Sequence, residues 1–365
     1  YRMTKKILIA ASGTGGHVIP ALNIAERLLD TNYKITWIGT KKGIENKLVN
    51  NEIIKLEHIS SSGIRGKSFF GKVKGLLNFI KAFFQCYIII RKEKPIFILG
   101  FGGYISTSAS LASFFCRVPV YVHEANSIPG TANKINHMIS KKTFETFPDT
   151  FSNNNKIILS GNPIKSLFKN IEHPKYKYMK KTNVSNILIF GGSQGAMFFN
   201  ENIPISLTEL STNLNIKHLC GLNNKISLEK KYKQLNIAHE VIEFSYEMNR
   251  LYDWADIIIS RAGSMTLSEI SASGRASILI PYRYATDNHQ FINAKYLEDN
   301  NASVVIEENE KFNDKLSSTL KHLIHNISDM QTMAINVKSL FPEDSSDIIL
   351  ENISELHEKY DNSAS

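Results

Sequence analysis

Cysteine is scarce. Cys86, Cys116 and Cys220 are the only three in 365 residues, widely spaced and without a CxxC pair. That spacing offers neither a disulfide framework nor a thiolate metal site, and it suits a reducing compartment. Neither glycine-rich turn closes on Lys-Ser or Lys-Thr, which excludes a Walker-type nucleotide loop. No DxD is present, so the usual acidic grip on a metal-bound nucleotide-sugar diphosphate is missing. No secretory leader is expected, because the first apolar run, "ILIAA", is short and leads straight into a glycine turn. The stretch "IFILGFGGYISTSASLASFFC", Ile96 to Cys116, carries no charge over a length that could cross a bilayer. Its early glycines and its Ser and Thr residues predict a buried strand, a turn and a helix instead.

Apolar residues are plentiful. They make up 42% of the chain, with 10% aromatic, which supplies packed cores, and the length favours two domains. Lys and Arg outnumber Asp and Glu by 43 to 34, a formal charge of +9, so an anionic partner is expected without its class being given by the sign.

Strand and helix patterns alternate from the start. "KKILIAA" reads as a strand and Pro20 to Leu29 as a helix; "KITWIG", "PIFILGFGG" and "VPVYVHEAN" follow as strands entering loops. Near Lys180 the scheme restarts with "SNILIFGGSQGAMFFN", and "WADIIISRAGSMTLSEISASG" predicts a strand over Asp256 to Ser260 and a helix from about Thr266. Two doubly wound α/β domains in tandem are therefore expected. Asn170 to Asn186, rich in Lys, Tyr and Asn, reads as a solvated loop past their boundary.

In such sheets, anions bind where helix N-termini meet the carboxyl ends of strands. "GTGGHV" has Val18 where a dinucleotide fingerprint has its third glycine, and "WIGTKKG" lacks the acidic ribose ligand, which argues against a nicotinamide enzyme. His17 falls in the first turn of its helix, where the positive helix end should lower its pKa and leave a neutral imidazole able to take a proton. The alternative is a ring that only hydrogen-bonds the loop. In "SMTLSE", Thr266 and Ser268 offer hydroxyls, and Glu269 either accepts both hydroxyls of a ribose or is a solvated first-turn glutamate. "DNHQFINA" sets His289 and Gln290 at another helix start, with sugar hydroxyls as plausible partners.

Together "GTGGHVIPA", "GFGGY", "HEAN", "SGNPIK", "FGGSQGA", "WADIIISRAG", "MTLSEI" and "DNHQFINA" resemble the MurG family in order and approximate spacing, from about Lys5 to Leu340. The resemblance implies the GT-B fold: two Rossmann-like, doubly wound domains facing a central cleft. It implies a 3–163 domain meeting the acceptor and membrane, and a 164–341 domain holding the donor. A terminal helix near 342–360 would pack back on the first. It implies inverting transfer of N-acetylglucosamine from UDP-N-acetylglucosamine to the C4 hydroxyl of lipid-linked N-acetylmuramyl-pentapeptide, without metal or cofactor. The relatives of that fold that compete with this reading are a glycolipid synthase and a UDP-N-acetylglucosamine 2-epimerase.

Carried over residue by residue, the resemblance gives His17 as the base, and Thr14, Gly15, Gly16 and Asn126 as donor-side contacts. It adds Lys165, Ser193 and Gln194, then Ser245 beside the uracil, then Ser264, Met265, Thr266, Leu267, Ser268 and Glu269 around uridine and ribose. Gln290 meets the transferred sugar. Lys165 stands where the family usually has arginine and Ala125 where it has glutamine. Arginine's planar fork is lost at the first position and a polar contact at the second.

Between Ile64 and Lys94, basic residues (Arg65, Lys67, Lys72, Lys74, Lys81) interleave with Phe69, Phe70, Phe79 and Phe83. Such a helix suits an anionic leaflet, packs in a core with a basic face, or binds nucleic acid. A polyprenyl-linked acceptor favours the first, with no nucleic acid partner. Tyr104 joins that acceptor-facing set, and the expected location is the cytoplasmic face of the bacterial membrane, held peripherally.

Overall fold

Strand residues without a polar face can only lie in a sheet covered on both sides. Ile7 to Ala10 and Ile257 to Ile259 are such runs, and each of these residues is fully buried. The structure, a computed structural model, describes residues 5–31, 33–60, 69–152, 154–180, 185–192, 195–208, 210 and 214–363, with the backbone alone for 69–72 and 357–363. The chain divides into two compact units, Tyr1–Ile164 with Asp344–Ser365, and Lys165–Glu343.

In the first unit β1 (Lys6–Ala10), α1 (Gly15–Leu29), β2 (Lys34–Gly39), α2 (Glu45–Leu48), β3 (Lys55–His58) and α3 (Phe69–Glu93) come first. Then follow β4 (Ile98–Gly100), α4 (Gly103–Phe115), β5 (Val120–Glu124), α5 (Thr131–Ile139), β6 (Lys142–Glu145) and β7 (Ile157–Leu159). The sheet is parallel, in the order β3-β2-β1-β4-β5-β6-β7. The order reverses between β1 and β4, so the loops leaving these two strands flank the switch point where this architecture binds ligands. Ile96 to Cys116 forms β4, a glycine turn and α4, as its composition requires.

In the second unit the elements are α6 (Pro174–Met179), β8 (Ser185–Phe190), α7 (Met197–Ser206), β9 (Leu214–Leu219), α8 (Lys225–Gln234), β10 (His239–Ile242) and α9 (Met248–Trp254). They continue through β11 (Ile257–Ser260), α10 (Ser264–Ser273), β12 (Ala276–Leu279), α11 (His289–Asp299), β13 (Val304–Val305), α12 (Phe312–His325) and α13 (Ile327–Lys338). Its parallel sheet runs β10-β9-β8-β11-β12-β13, with the switch between β8 and β11. The last helix, α14 (Ser345–Ser363), belongs to the first unit. Ile349 and Ile353 enter that core, and Asp347 pairs with Arg27 of α1.

Three local expectations change. Helix α1 begins at Gly15, and Pro20 lies inside it, where the missing N–H only removes the bond to the Gly16 carbonyl. The stretch expected to be a solvated loop past Asn170 contains α6, pinned by Tyr178. That tyrosine is 3% exposed; its hydroxyl donates to Asp256 O at 2.6 Å and accepts from Ala276 N at 2.9 Å. Burial of one ring overrides the polar composition around it. Helix α10 begins at Ser264 rather than Thr266, because Gly263 is extended (φ −69°, ψ 141°) and acts as the N-cap.

Candidate active site

On the first unit, Gly13 takes a φ of +97° and its N–H donates to Glu45, so the chain turns into α1 immediately after β1. Glu45 is fully buried and also accepts from the N–H and hydroxyl of Thr40, which ties the loop after β2 to the loop after β1. Sequence reasoning missed it, since one glutamate in a lysine-rich loop carries no pattern. Thr14 is the N-cap of α1 and makes no side-chain capping bond, and Thr14, Gly15 and Gly16 all keep solvent-accessible surface. The first N–H groups of α1 therefore point out of the sheet's carboxyl edge, as an anion site requires.

His17, the third residue of α1, is half-buried and lies beside Gly102, the N-cap of α4. Gly102 has a φ of +93°, and a β-carbon there would stand 3.1 Å from His17 Nε2. Tyr104, the second residue of α4, is half-buried at the same edge. Behind them His123 is 1% exposed and meets Gly161 O through Nε2 at 3.1 Å. Burial lowers its pKa to about 4, with the His17 charge pulling the same way and the Gly161 bond opposing. His123 is thus a neutral ring that donates to a carbonyl, a structural histidine in contrast to its half-open neighbour.

Glu124 closes β5 and holds the following loop. Its carboxylate accepts from Asn126 N at 3.0 Å, Gly130 N at 3.1 Å and Asn133 Nδ2 at 3.0 Å. Asn126 is thereby fixed and half-exposed, while Ala125, at the position of the family's glutamine, is 4% exposed and turned into the protein.

On the second unit, the loop after β8 turns through Gly192 (φ +102°) and Gly195 (φ +74°), where a β-carbon would strike Cys220 O at 2.4 Å. Ser193 and Gln194 lie outside the described residues. A cavity of about 930 Å³ opens beside this loop, lined also by Arg261, Tyr282, Arg283, Gln290 and Glu308. Arg261, just past β11, pairs with Glu308, donates to Ile280 O at 3.1 Å and stacks 4.5 Å over Phe199 and 5.4 Å from the Tyr282 ring. Gln290, second in α11, accepts Tyr282 N at 2.9 Å, which leaves its amide N–H groups to aim at a ligand.

Along α10, Ser264, Leu267 and Ser268 are buried, and the Ser268 hydroxyl donates to Ser264 O at 3.0 Å. Ser268 therefore spends its proton within its own helix, and Met265, Thr266 and Glu269 are the residues of the motif that keep accessible surface. Glu269 lies in the second turn, not the first, so the solvated first-turn alternative does not apply. Its Oε2 accepts from the Tyr252 hydroxyl at 2.9 Å. Burial pushes its carboxyl up to about 7, while the Tyr252 bond and the charge of exposed Lys165 pull it down. Ser245, between β10 and α9, accepts Glu247 N at 3.1 Å and is flanked by Phe244 and Tyr246, whose rings meet edge to face at 4.8 Å.

The basic-apolar stretch folds as α3. Arg65 and Lys67 lie outside the described residues, as do the side chains of Phe69, Phe70 and Lys72. Phe79 and Phe83 turn inward and are half-buried, Phe83 packing on the core beneath α4 and meeting Phe115 at 5.7 Å. The outward face consists instead of Leu76, Leu77, Ile80, Phe84 and Ile88, 43% to 65% exposed, beside Phe114 and Phe115 of α4. Lys74, Lys81, Arg91 and Lys92 are exposed on the same helix. Val73–Glu93 is long and apolar enough to cross a membrane by length and composition. Ala82, Cys86 and Ile90 are nonetheless buried in the core of the unit.

The glycosyltransferase family 28 N-terminal domain matches residues 7–145 and its C-terminal domain residues 186–348. A transferase of Vesicomyosocius okutanii subsp. Calyptogena okutanii is 40% identical over 338 residues, 92% of this chain and 95% of that protein. It is called UDP-N-acetylglucosamine–N-acetylmuramyl-(pentapeptide) pyrophosphoryl-undecaprenol N-acetylglucosamine transferase. The crystal structure of Acinetobacter baumannii MurG superposes with a TM-score of 0.85 at 29% identity, over 96% of this chain and 99% of that one. A Neisseria meningitidis UDP-GlcNAc 2-epimerase, over 96% of this chain and 100% of its own, reaches 0.66 at 17% identity, a likeness of fold alone. With two GT-B halves, glycine turns at both switch points and kinship along nearly its whole length, the chain belongs to the MurG family of glycosyltransferases.

Proposed function

We propose that this chain transfers N-acetylglucosamine from UDP-N-acetylglucosamine to the C4 hydroxyl of polyprenyl-diphosphate-linked N-acetylmuramyl-pentapeptide, with inversion and without a metal. The observation that carries the reading is His17, held half-open in the first turn of α1 against the Gly102 backbone, where β1 and β4 diverge. A neutral imidazole there takes the proton of the acceptor hydroxyl as its oxygen attacks the anomeric carbon and the bond to UDP breaks. The proton ends on His17 and the electron pair on the departing diphosphate.

The donor is assigned to the second unit. Glu269 accepts the ribose hydroxyls, and the backbone around Ser245 reads the uracil between exposed Phe244 and Tyr246. Gln290 orients the sugar with its amide hydrogens, in the cavity walled by Arg261, Gly192 and Gly195, and Ser193 and Gln194 are further candidate donor contacts. The charge that grows on the leaving diphosphate is met by the N-terminus of α10, around Ser264 to Thr266, and by Lys165. Lysine offers a point charge without arginine's planar fork, which suits a mobile leaving group less tightly clamped. Thr14, Gly15, Gly16 and Asn126 are the first unit's candidate donor contacts, and Tyr104 is its candidate acceptor contact.

The outward face of α3, with Phe114 and Phe115, is the surface that meets the membrane: apolar side chains enter the leaflet and Lys74, Lys81, Arg91 and Lys92 meet anionic headgroups. On this reading the protein lies peripherally on the cytoplasmic side, where a lipid-linked acceptor is presented, and serves peptidoglycan synthesis.

Purified protein incubated with labelled UDP-N-acetylglucosamine and the lipid-linked muramyl-pentapeptide should move label into the lipid fraction. Release of free sugar from the UDP-sugar alone, with no label in lipid, would favour the epimerase reading and overturn this one.

A further inference from the structure

Tyr252 is fully buried at the end of α9, yet its hydroxyl emerges at a residue assigned to substrate. Its ring is wedged between Phe168, at 5.2 Å, and Phe190, at 5.7 Å. Its carbonyl accepts from Arg275 Nε at 3.0 Å, and Arg275 is itself fully buried and bound to Asp253 Oδ1 at 3.1 Å and Glu172 O at 2.9 Å. Ring, backbone and neighbours are all held, so the hydroxyl has one place to point. It donates to Glu269 Oε2 at 2.9 Å.

We infer that Tyr252 is a positioning residue for donor capture: its hydroxyl holds one oxygen of Glu269 so that the ionised carboxylate faces the ribose, and a single proton on Glu269 blocks that capture. This rests on the reading that Glu269 accepts the ribose hydroxyls. An ionised carboxylate accepts one ribose hydroxyl on each oxygen, whereas protonation turns one of those oxygens into a donor and breaks the paired arrangement. Burial makes that state costly, whereas the Tyr252 hydrogen bond and the Lys165 charge favour it, and the carboxyl sits at about 7. Burial and the adjacent Glu269 raise the phenol of Tyr252 well above its ordinary range, so it remains a donor throughout.

Lys169, on the short 3-10 turn Ser166–Asn170 that packs against α10, is exposed, and other charged groups on the neighbouring elements are paired elsewhere. Asp253 of α9 pairs with Arg275, Lys338 of α13 with Ala272 O and Glu343, and Lys295 of α11 with Glu298 and Asp299. His289 of α11 bonds Thr286 O and Arg250 of α9 pairs with Glu247. Tyr252 and Lys165 are the two groups whose fields reach Glu269.

The test is the affinity for UDP-N-acetylglucosamine across pH, a ligand whose two phosphates are both esterified and do not titrate in the range. In the unmodified protein, affinity should be level above about pH 7 and fall up to about tenfold per pH unit below it, with one proton taken up when the donor leaves. Tyr252→Phe keeps the ring and removes the donor, so the break should move to higher pH. Binding at pH 7 should weaken roughly three- to tenfold while turnover at saturating donor holds.

Glu269→Gln should bind weakly at every pH and no longer distinguish the donor from its 2′-deoxyuridine counterpart. If Tyr252→Phe keeps the original pH profile while Glu269→Gln loses the pH dependence, the positioning role fails and the ribose reading stands. If Glu269→Gln binds both ligands as the unmodified protein does, the ribose reading itself fails. Should Tyr252→Phe melt early, 3-fluorotyrosine placed at position 252, a stronger donor of the same shape, must move the break to lower pH. No movement there overturns the inference.

Discussion

A β-carbon placed on Gly102 would stand 3.1 Å from Nε2 of His17 and 3.3 Å from Nδ2 of Asn133, so two side chains from separate helices meet at one glycine. The relationship is a product of strand order, because β1 and β4 are neighbours at the switch point and their loops leave on the same edge. Gly102→Ala should therefore displace the imidazole and strain a backbone at φ +93°. We expect turnover to fall about 10- to 100-fold, stability to drop by about 1 kcal/mol, and UDP affinity on the other unit to stay put. Steady-state kinetics beside calorimetric UDP titration separates these effects.

His17→Ala should lower turnover by about 10²- to 10⁴-fold, the usual worth of a positioned proton acceptor, with little change in the affinity for UDP-N-acetylglucosamine. Single-turnover transfer to the lipid acceptor is the measurement. Ordinary turnover in that variant would remove His17 from the base role.

Glu269 carries a stability cost whose sign is set by its pKa. The carboxyl titrates at about 7 in the folded protein, above the ordinary value of 4.5. The folded state therefore binds the extra proton, and its contribution is full below the unfolded value and lost as pH rises through the folded one. Glu269→Gln should raise the melting temperature of the ligand-free protein at pH 8, by about 1–3 kcal/mol of stability. That gain should shrink as pH falls from about 7 toward about 4.5. A variant that is more stable and cannot hold the donor would show a binding carboxylate kept at the expense of the fold. Equal melting points at pH 8 would contradict the desolvation of Glu269.

The exposed face of α3 predicts lipid binding with two separable parts. Ile80→Ser with Phe84→Ser should weaken binding to vesicles at every salt concentration, by about 10²-fold or more for two side chains each worth about 1.5–3 kcal/mol when buried. Lys74→Gln with Lys81→Gln should weaken it only for anionic vesicles and only at low salt, by about 1 kcal/mol per charge. Flotation with neutral and anionic vesicles reads both. Phe83→Ser should instead destabilise the fold, since that ring packs on the core.

Metal removal tests the leaving-group assignment. Transfer should persist in excess EDTA if helix N-termini and Lys165 carry the diphosphate charge. Loss of activity that returns with magnesium would show that these groups are insufficient.

Much of this was legible in the linear pattern. Glycine turns between an apolar strand and a helix are local events, so "GTGGHV" and "GFGGY" disclose their strand–turn–helix units within a dozen residues. The parts that were not legible depend on partners far along the chain. Tyr178 lies in a lysine-rich stretch, yet it is buried because Asp256 and Ala276, roughly 80 to 100 residues away, receive it. Phe79 and Phe83 share composition with Leu77 and Phe84, and only the packing of α3 on α4 decides which of them face solvent. Ser268 looks like a ligand donor in sequence and satisfies its own helix in space.

The order of residues alone therefore determined two doubly wound units, their glycine turns and the chemistry each turn could hold, because hydrophobic period and turn residues act over a few positions. Tertiary structure decided which turns stand together, through the reversal of strand order that brings His17 to Gly102. It also decided the state of Glu269, because burial, Tyr252 of α9 and Lys165 ahead of α6 all act on a carboxyl that α10 carries. Proton affinity is a property of surroundings, and those surroundings exist only once the sheet has closed its neighbours around the site.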